Sequence, residues 1–494
     1  MIINGFLSLF LYTFYLGSSI SFFVDLDNKK NYFINILIIA IISSLYFSWF
    51  LVLFKLLFGL SISIYYFYVF ITLLNIYLIY QKKLNKKSVI DIKEAAYFFI
   101  FLSFFTILFF RSPEYALTFN YGDAVVSWNR WAIEISQNKF EKLIGFYPIF
   151  WPGLWSLIYD SQDNVTFWIF TKASLLVVTF VYFLLVFKFL KNKKYFDFAF
   201  FVIIFWGIFL QYPSNVFLHS GYMDIPVTLL SIILFMMVIQ NLKFNNSPNF
   251  LNIYIFSFLV GVISVTKFSG FFTLLIYSIY LIYNYKKNLI TKKIFISNTF
   301  ISFLPFLTFL VIYFKIINFN IFDNNFYDLL NFSISKSDGN IFIKSFLRIL
   351  EIANPILLFL ILGLSLINFF KKDEISFFGR CFFIIFILGI FIFSTVSYDV
   401  RNFFYLIFIL IISSYCAFNN LNYEKTILNL SFLKKYFLLF LVISAFISSY
   451  IIDKFFGHFL LIKDKQKFQI MHPLTKKQLK SENYKFLYDL IKKE

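Results

Sequence analysis

The residues best suited to chemistry sit together in one short run, Tyr121-Gly-Asp-Ala-Val-Val-Ser-Trp-Asn-Arg-Trp-Ala-Ile-Glu-Ile135. Asp123, Trp128, Asn129, Arg130, Trp131 and Glu134 fall within about three helical turns of one another. A carboxylate held at a membrane surface can take a proton from an acceptor hydroxyl. Asp123 also follows a glycine at an expected loop-to-helix junction, where Asp is favoured simply as an N-cap. Arg130 and Trp131 suit binding of a phosphate and stacking on a sugar, and they suit anchoring at an interface equally well.

Four further segments gather the chain's rarer polar residues. Phe146-Tyr-Pro-Ile-Phe-Trp-Pro-Gly-Leu-Trp155 is aromatic, and its two prolines, Pro148 and Pro152, predict an interface-lying segment without regular helix. His219-Ser-Gly-Tyr-Met-Asp-Ile-Pro226 ends with Asp224 at the start of an apolar run. A helix start with proline just inside accounts for Asp224, yet a charge at the edge of a membrane span is costly enough to suggest a function. Thr266-Lys-Phe-Ser-Gly270 interrupts a long apolar stretch, and its Lys267 either snorkels to the interface or meets a phosphate. Ser397-Tyr-Asp-Val-Arg-Asn402 carries Asp399 and Arg401. A lone surface pair contributes little stability, and the planar fork of Arg401 matches phosphate oxygens.

The elements that must position these residues follow from composition. The chain has 494 residues, of which 60% are hydrophobic and 14% charged, and its mean hydropathy is +0.79. That leaves too little polar surface for a soluble globule and too many aromatic and branched residues for disorder. The expectation is an all-α, polytopic integral membrane protein. The 79 Phe against 15 Gly reflect a biased composition that carries no function of its own. Cys381 and Cys416 both fall in apolar runs and offer neither a metal spacing nor a disulfide framework.

At about 20 apolar residues per span, the sequence predicts about 14 transmembrane helices, with a range of roughly 11 to 14. They start near Gly5, Asn35, Ile62, Tyr97, Thr166, Phe196, Ile225, Leu251, Gly270, Ile294, Ile349, Phe377, Phe403 and Ser431. The Asn31–Tyr80 and Leu251–Tyr285 stretches are each long enough for two helices but have no charged loop to divide them. Met1–Phe23 has no basic leader or small-residue cleavage site and is expected to be a retained helix.

The net charge of +19 comes largely from lysine clusters between apolar runs, which points to membrane orientation and away from nucleic acid. Lys82 to Lys93, Lys191 to Lys194, Lys286 to Lys293 and Lys371 with Lys372 mark cytoplasmic loops separated by even numbers of expected spans. The segments 111–163, 211–224, 266–270, 318–343 and 397–402 are then outside, together with a short polar tail, 453–494. The polar residues described above all fall on that outer side.

In this order, the five segments resemble the glycosyltransferase C superfamily, and in particular bacterial enzymes related to the protein mannosyltransferase and aminoarabinose transferase group. Gly122-Asp123 with Ser127-Trp128 is similar to the acidic element of that family's first outer loop. Tyr147-Pro148 and Trp151-Pro152 resemble the Tyr-Pro…Pro stretch after it. Gly221-Tyr222-Met223-Asp224-Ile225-Pro226 resembles a Gly-Tyr-Ala-Asp-Leu-Pro segment, and Thr266-Lys267-Phe-Ser-Gly270 a Thr-Lys-x-x-Gly turn. Tyr398-Asp399-Val-Arg401-Asn402 resembles the late outer loop that carries an arginine.

The resemblance covers roughly Tyr97 to Ala417. It implies three additional N-terminal helices in 1–96, a core of the family's type in 97–452 with the catalytic loop at 111–163, and a tail at 453–494. It further implies an inverting hexosyl or pentosyl transferase of the cell envelope, in the bacterial inner membrane with its site facing outside. The donor would be a polyprenyl-phosphate-linked sugar and the acceptor a glycan, lipid or protein. Asp123 would be the general base. Asp224, Lys267, Arg401, Arg130, Glu134, Trp128, Trp131, His219, Tyr222 and Asp399 would bind substrate. No cofactor is implied, and a divalent cation is disfavoured because a lone Asp with no adjacent carboxylate is a poor cation site. Two other classes remain: an O-antigen polymerase or ligase acting on lipid-linked glycans, and a transporter or flippase of such lipids. The second would need polar residues along a path through the spans.

Overall fold

The computed structural model describes residues 2–23, 32–59, 63–82, 124–138, 147–162, 168–192, 197, 200–201, 223–243, 250–316, 349, 355–396 and 400–420. Among the described residues every regular element is helical, as a chain of apolar runs requires in lipid, where each backbone polar group must be satisfied within its own segment. Among the described residues seven helices are long and apolar enough to cross a membrane: Ile2–Ser21, Phe33–Phe58, Ile64–Gln81, Ile169–Phe189, Asp224–Leu242, Lys292–Ile312 and Glu374–Ile392. Three apolar helices are shorter: Asn252–Ser264, Leu358–Phe370 and Phe403–Phe418. The protein is an α-helical integral membrane protein. The expected spans beginning near Tyr97 and Ser431, and most of that near Phe196, lie outside the described residues.

The chain divides into two compact units. The first comprises Met1–Lys193, Pro213–Met223 and Asp453–Glu494, and the second Lys194–Tyr212 and Asp224–Ile452.

In the first unit, α1 (Ile2–Phe10) continues through a π-helical turn, Leu11–Tyr15, into α2 (Ser18–Phe23). The Asn31–Tyr80 stretch is two helices, α3 (Tyr32–Phe58) and α4 (Ile64–Lys82). The break falls at Gly59, whose φ of +66° is a left-handed conformation that residues with a Cβ rarely adopt. Side-chain hydrogen bonds tie the N-terminal helices to their neighbours: Ser48 donates to the Tyr12 carbonyl at 2.8 Å, and Tyr68 to the Leu7 carbonyl at 2.7 Å. Two short helices follow, α5 (Arg130–Ser136) and α6 (Phe150–Gln162), and then the long α7 (Ile169–Lys191).

The α6 helix corrects the expectation of an irregular, interface-lying segment. Pro148 precedes it, and Pro152 sits in its first turn, where a missing N–H costs nothing because first-turn amides have no intrahelical partner. Its residues from Phe150 to Tyr159 are buried, so the tryptophans are core and form no exposed belt. It runs alongside α3 in the same direction. Trp49 meets Phe150 with ring centroids 6.4 Å apart, Val52 packs on Gly153, and Lys55 pairs with Asp160.

In the second unit, α8 (Asp224–Lys243) is followed by α9 (Phe250–Ser264) and α10 (Gly270–Lys286). These two divide the Leu251–Tyr285 stretch at the turn 265–269. Next come α11 (Lys292–Ile316), α12 (Pro355–Leu366), α13 (Glu374–Val396) and α14 (Val400–Asn420). Helix α14 is buried from Phe403 to Phe418 and is the unit's central element. Polar groups join it to its neighbours: Asn368 Nδ2 donates to the Ser413 carbonyl at 2.9 Å, and Ser413 Oγ to the Gly379 carbonyl at 2.7 Å.

Candidate functional site

In the second unit, Asp224 opens α8 as its first-turn acid, where the helix dipole favours a negative charge. Thr228 Oγ1 returns to the Asp224 carbonyl at 2.6 Å. Lys267 stands in the α9–α10 turn, and its Nζ donates to Asp224 Oδ1 to form an ion pair. Both side chains are nearly buried, at 12% and 11% exposure. The sequence singled out both residues for separate reasons, and the fold joins them. Lys267 therefore neither snorkels alone nor stands as a bare cation.

Directly along the helices from this pair lies a chain of hydroxyls. Ser231 of α8 and Thr273 of α10 are 2.8 Å apart, and Thr273 and Tyr405 of α14 are 2.5 Å apart. All three residues are buried. Tyr405 is one turn from Arg401, which lies in the first turn of α14. The starts of α8, α10 and α14 are thus at one end of the unit, the end opposite Lys243, Lys286 and Lys292. That end carries Asp224, Lys267 and the backbone of Arg401; the Arg401 side chain, and Asp399, lie outside the described residues.

The first unit has its own polar region. Arg130 Nε donates to Glu134 Oε1 at 2.7 Å across one turn of α5. Trp128 and Trp131 meet edge to face at 5.1 Å, and Tyr147 closes the group at 6.0 and 6.1 Å. The indoles are buried while Tyr147 is 41% exposed, so the cluster turns one ring toward its surroundings. Beneath it, Tyr159 of α6 donates to Asn129 Oδ1 at 2.5 Å. Burial pushes the Tyr159 phenol well above its ordinary range, so it remains a neutral donor. The Nδ2 of Asn129 is buried with no hydrogen-bond partner among the described residues.

Asp123 lies outside the described residues, as do His219 and Tyr222. A π-helical segment, Ala124–Asn129, begins immediately after Asp123 and leads into α5. The π geometry, a form often found at functional sites, places Trp128 and Asn129 just before Arg130.

Three features escaped the sequence reading. The Lys55–Asp160 pair is the first, with Lys55 2% exposed. Lys55 is the single charged residue of α3, and a lone charge in a span signals that a partner must exist. The second is the Asn129–Tyr159 bond, and the third is the Ser231–Thr273–Tyr405 chain. Neither has a sequence signal, because Asn, Ser, Thr and Tyr occur throughout the spans. Lys172, on the first turns of α7, is also buried.

Within each unit the lysine-rich helix ends lie at one end and the ion pairs at the other. In the first, Lys188 donates to Asn35 Oδ1 at 3.0 Å at the lysine-rich end, while Lys55, Asp160 and the Gly59 turn lie at the other. In the second, Asn241 donates to the Tyr280 hydroxyl at 2.8 Å toward the lysine-rich end, and Asp224 and Lys267 lie opposite. Among the described residues no three His, Cys, Asp or Glu side chains group to hold a metal ion. The chain matches no protein-family model, no curated protein and no solved structure.

Proposed function

We propose that the protein transfers a sugar from a polyprenyl-phosphate-linked donor to a glycan, lipid or protein acceptor at the outer face of a bacterial inner membrane. The observation that carries the reading is the meeting of Asp224 and Lys267 at the lysine-poor end of the second unit, the end at which α14, with the backbone of Arg401, also begins. These are three of the residues that the resemblance to the glycosyltransferase C superfamily picked out, and they come from segments far apart in sequence.

In the proposed reaction Asp123 takes the proton of the acceptor hydroxyl as the acceptor oxygen bonds to the anomeric carbon. The bond from that carbon to the phosphate oxygen breaks, and polyprenyl phosphate leaves as the anion. Phosphate is a good leaving group, so no general acid is required. The site must instead stabilise the charge that develops on it. Lys267 is offset by Asp224 and Arg130 by Glu134, so neither pair brings net positive charge. The leading cation is then Arg401, and the Asp224–Lys267 pair serves to fix the donor or acceptor by hydrogen bonding. The Trp128–Trp131–Tyr147 group offers an aromatic face for a sugar ring, and Glu134, His219, Tyr222 and Asp399 are proposed as further substrate-binding residues.

Transfer of labelled sugar from polyprenyl-phosphate donors to membrane glycans, with and without the protein, tests the reading. Protein-dependent label in the glycan fraction is expected. Protein-dependent movement of the intact donor across the bilayer, without transfer, would replace the enzyme with a transporter.

A further inference from the structure

Helix α11 opens with Lys292 and Lys293, just across a short turn from Lys286 and Lys287 at the end of α10. All four lysines are exposed, and none makes an ion pair among the described residues. Below them Ile296 and Phe300 are 53% and 58% exposed and follow Lys292 at successive steps of four, so the charge and both apolar side chains share one face. Leu307 and Val311 continue that exposed face toward the far end of the helix. Lys292, Lys293, Ile296, Ser297 and Phe300 line an open groove of about 560 Å³. The first turn of α11 adds the positive end of a helix dipole.

We infer that this groove holds one anionic glycerophospholipid, its phosphate against Lys292 and Lys293 and an acyl chain along Ile296 and Phe300. The argument is charge complementarity joined to an apolar track. A free phosphate would use the lysines and leave the track unexplained. A zwitterionic lipid would use the track and bring no net charge to the two lysines that line it. The cluster at Lys371 and Lys372 also has exposed apolar neighbours, Phe369 and Phe370, and serves as the comparison site. The inference stands apart from the glycosyl-transfer reading, because the lysines lie at the opposite end of the unit from Asp224.

Native mass spectrometry of the full-length protein, offered phosphatidylglycerol or phosphatidylcholine, tests it. A basic residue near an anionic surface is worth about fivefold in binding, so Lys292→Gln with Lys293→Gln should weaken retention of the last phosphatidylglycerol about thirtyfold. Lys371→Gln with Lys372→Gln should leave it unchanged, and millimolar inorganic phosphate should not displace it. Equal retention of the two lipids by the wild type would overturn the inference, as would unchanged retention in the Lys292/Lys293 variant or an equal loss in the Lys371/Lys372 variant. A polypeptide that co-purifies with the wild type and is lost from the Lys292/Lys293 variant, with no lipid selectivity, would assign the groove to a protein partner and overturn it as well.

Discussion

Lys55 near the end of α3 and Asp160 near the end of α6 form a nearly buried ion pair, and that pair anchors the helix carrying Trp151, Trp155 and Tyr159 to a membrane span. Removing one partner takes the opposite charge away from a nearly buried neighbour. Lys55→Met should destabilise the protein by about 3–5 kcal/mol, whereas Lys55→Met with Asp160→Leu should recover most of that loss. Thermal unfolding in detergent, followed by loss of monodisperse protein, reads both. Equal stability of the single and double variants would show that the pair does not hold α6.

Gly153 should behave as a close-packing position. A Cβ placed there would stand 2.2 Å from Val52 Cγ1, and valine has little freedom to turn away. Gly153→Ala is expected to cost about 1–3 kcal/mol, and Val52→Ala in the same chain should relieve much of it. The melting temperatures of the three variants test this, and failure of the second substitution to rescue the first would mean that α3 and α6 are not in contact there.

Much of this architecture was legible in the sequence, for identifiable reasons. Spans are announced by apolar runs, and the Thr266–Gly270 turn marks where one long run divides. Asp224 and Lys267 stood out because a charge at the edge of a span is rare. Their pairing did not, since 43 residues separate them and only the packing of α8 against the α9–α10 turn brings them together. Pro148 and Pro152 predict a break, yet a proline in the first turn of a helix is tolerated, and α6 forms. The isolation of Lys55 in α3 is itself the signal of a buried partner.

The Asp224–Lys267 pair separates a structural role from a chemical one. Asp224→Asn should leave Lys267 without its counter-charge and lower both stability and transfer. The exchange Asp224→Lys with Lys267→Asp restores opposite charges at the same two positions. Most of the stability should return, less the cost of a cation at the start of α8, while transfer should stay at least about tenfold down, because the polar groups no longer face the substrate as before. Recovery of both in the exchanged protein would reduce the pair to a scaffold.

The Ser231–Thr273–Tyr405 chain should set the position of the start of α14. Thr273 is its middle member, so Thr273→Val removes two buried hydroxyl–hydroxyl bonds, although Ser231 keeps its bond to the Val227 carbonyl at 2.7 Å, and should cost about 1–3 kcal/mol. Tyr405→Phe removes only an end of the chain and should cost about 1 kcal/mol. Melting curves rank the two, and the reverse order would mean that the hydroxyls are satisfied elsewhere.

The central claim is sugar transfer with Asp123 as the base. Its most direct test is the rate of label transfer from a polyprenyl-phosphate sugar by the full-length protein and by Asp123→Asn, in membranes with matched protein amounts and matched melting temperatures. A general base contributes about a hundredfold or more, so Asp123→Asn should transfer at under about one hundredth of the wild-type rate. Transfer by Asp123→Asn at the wild-type rate, or no transfer by the wild type above protein-free membranes, would contradict the account.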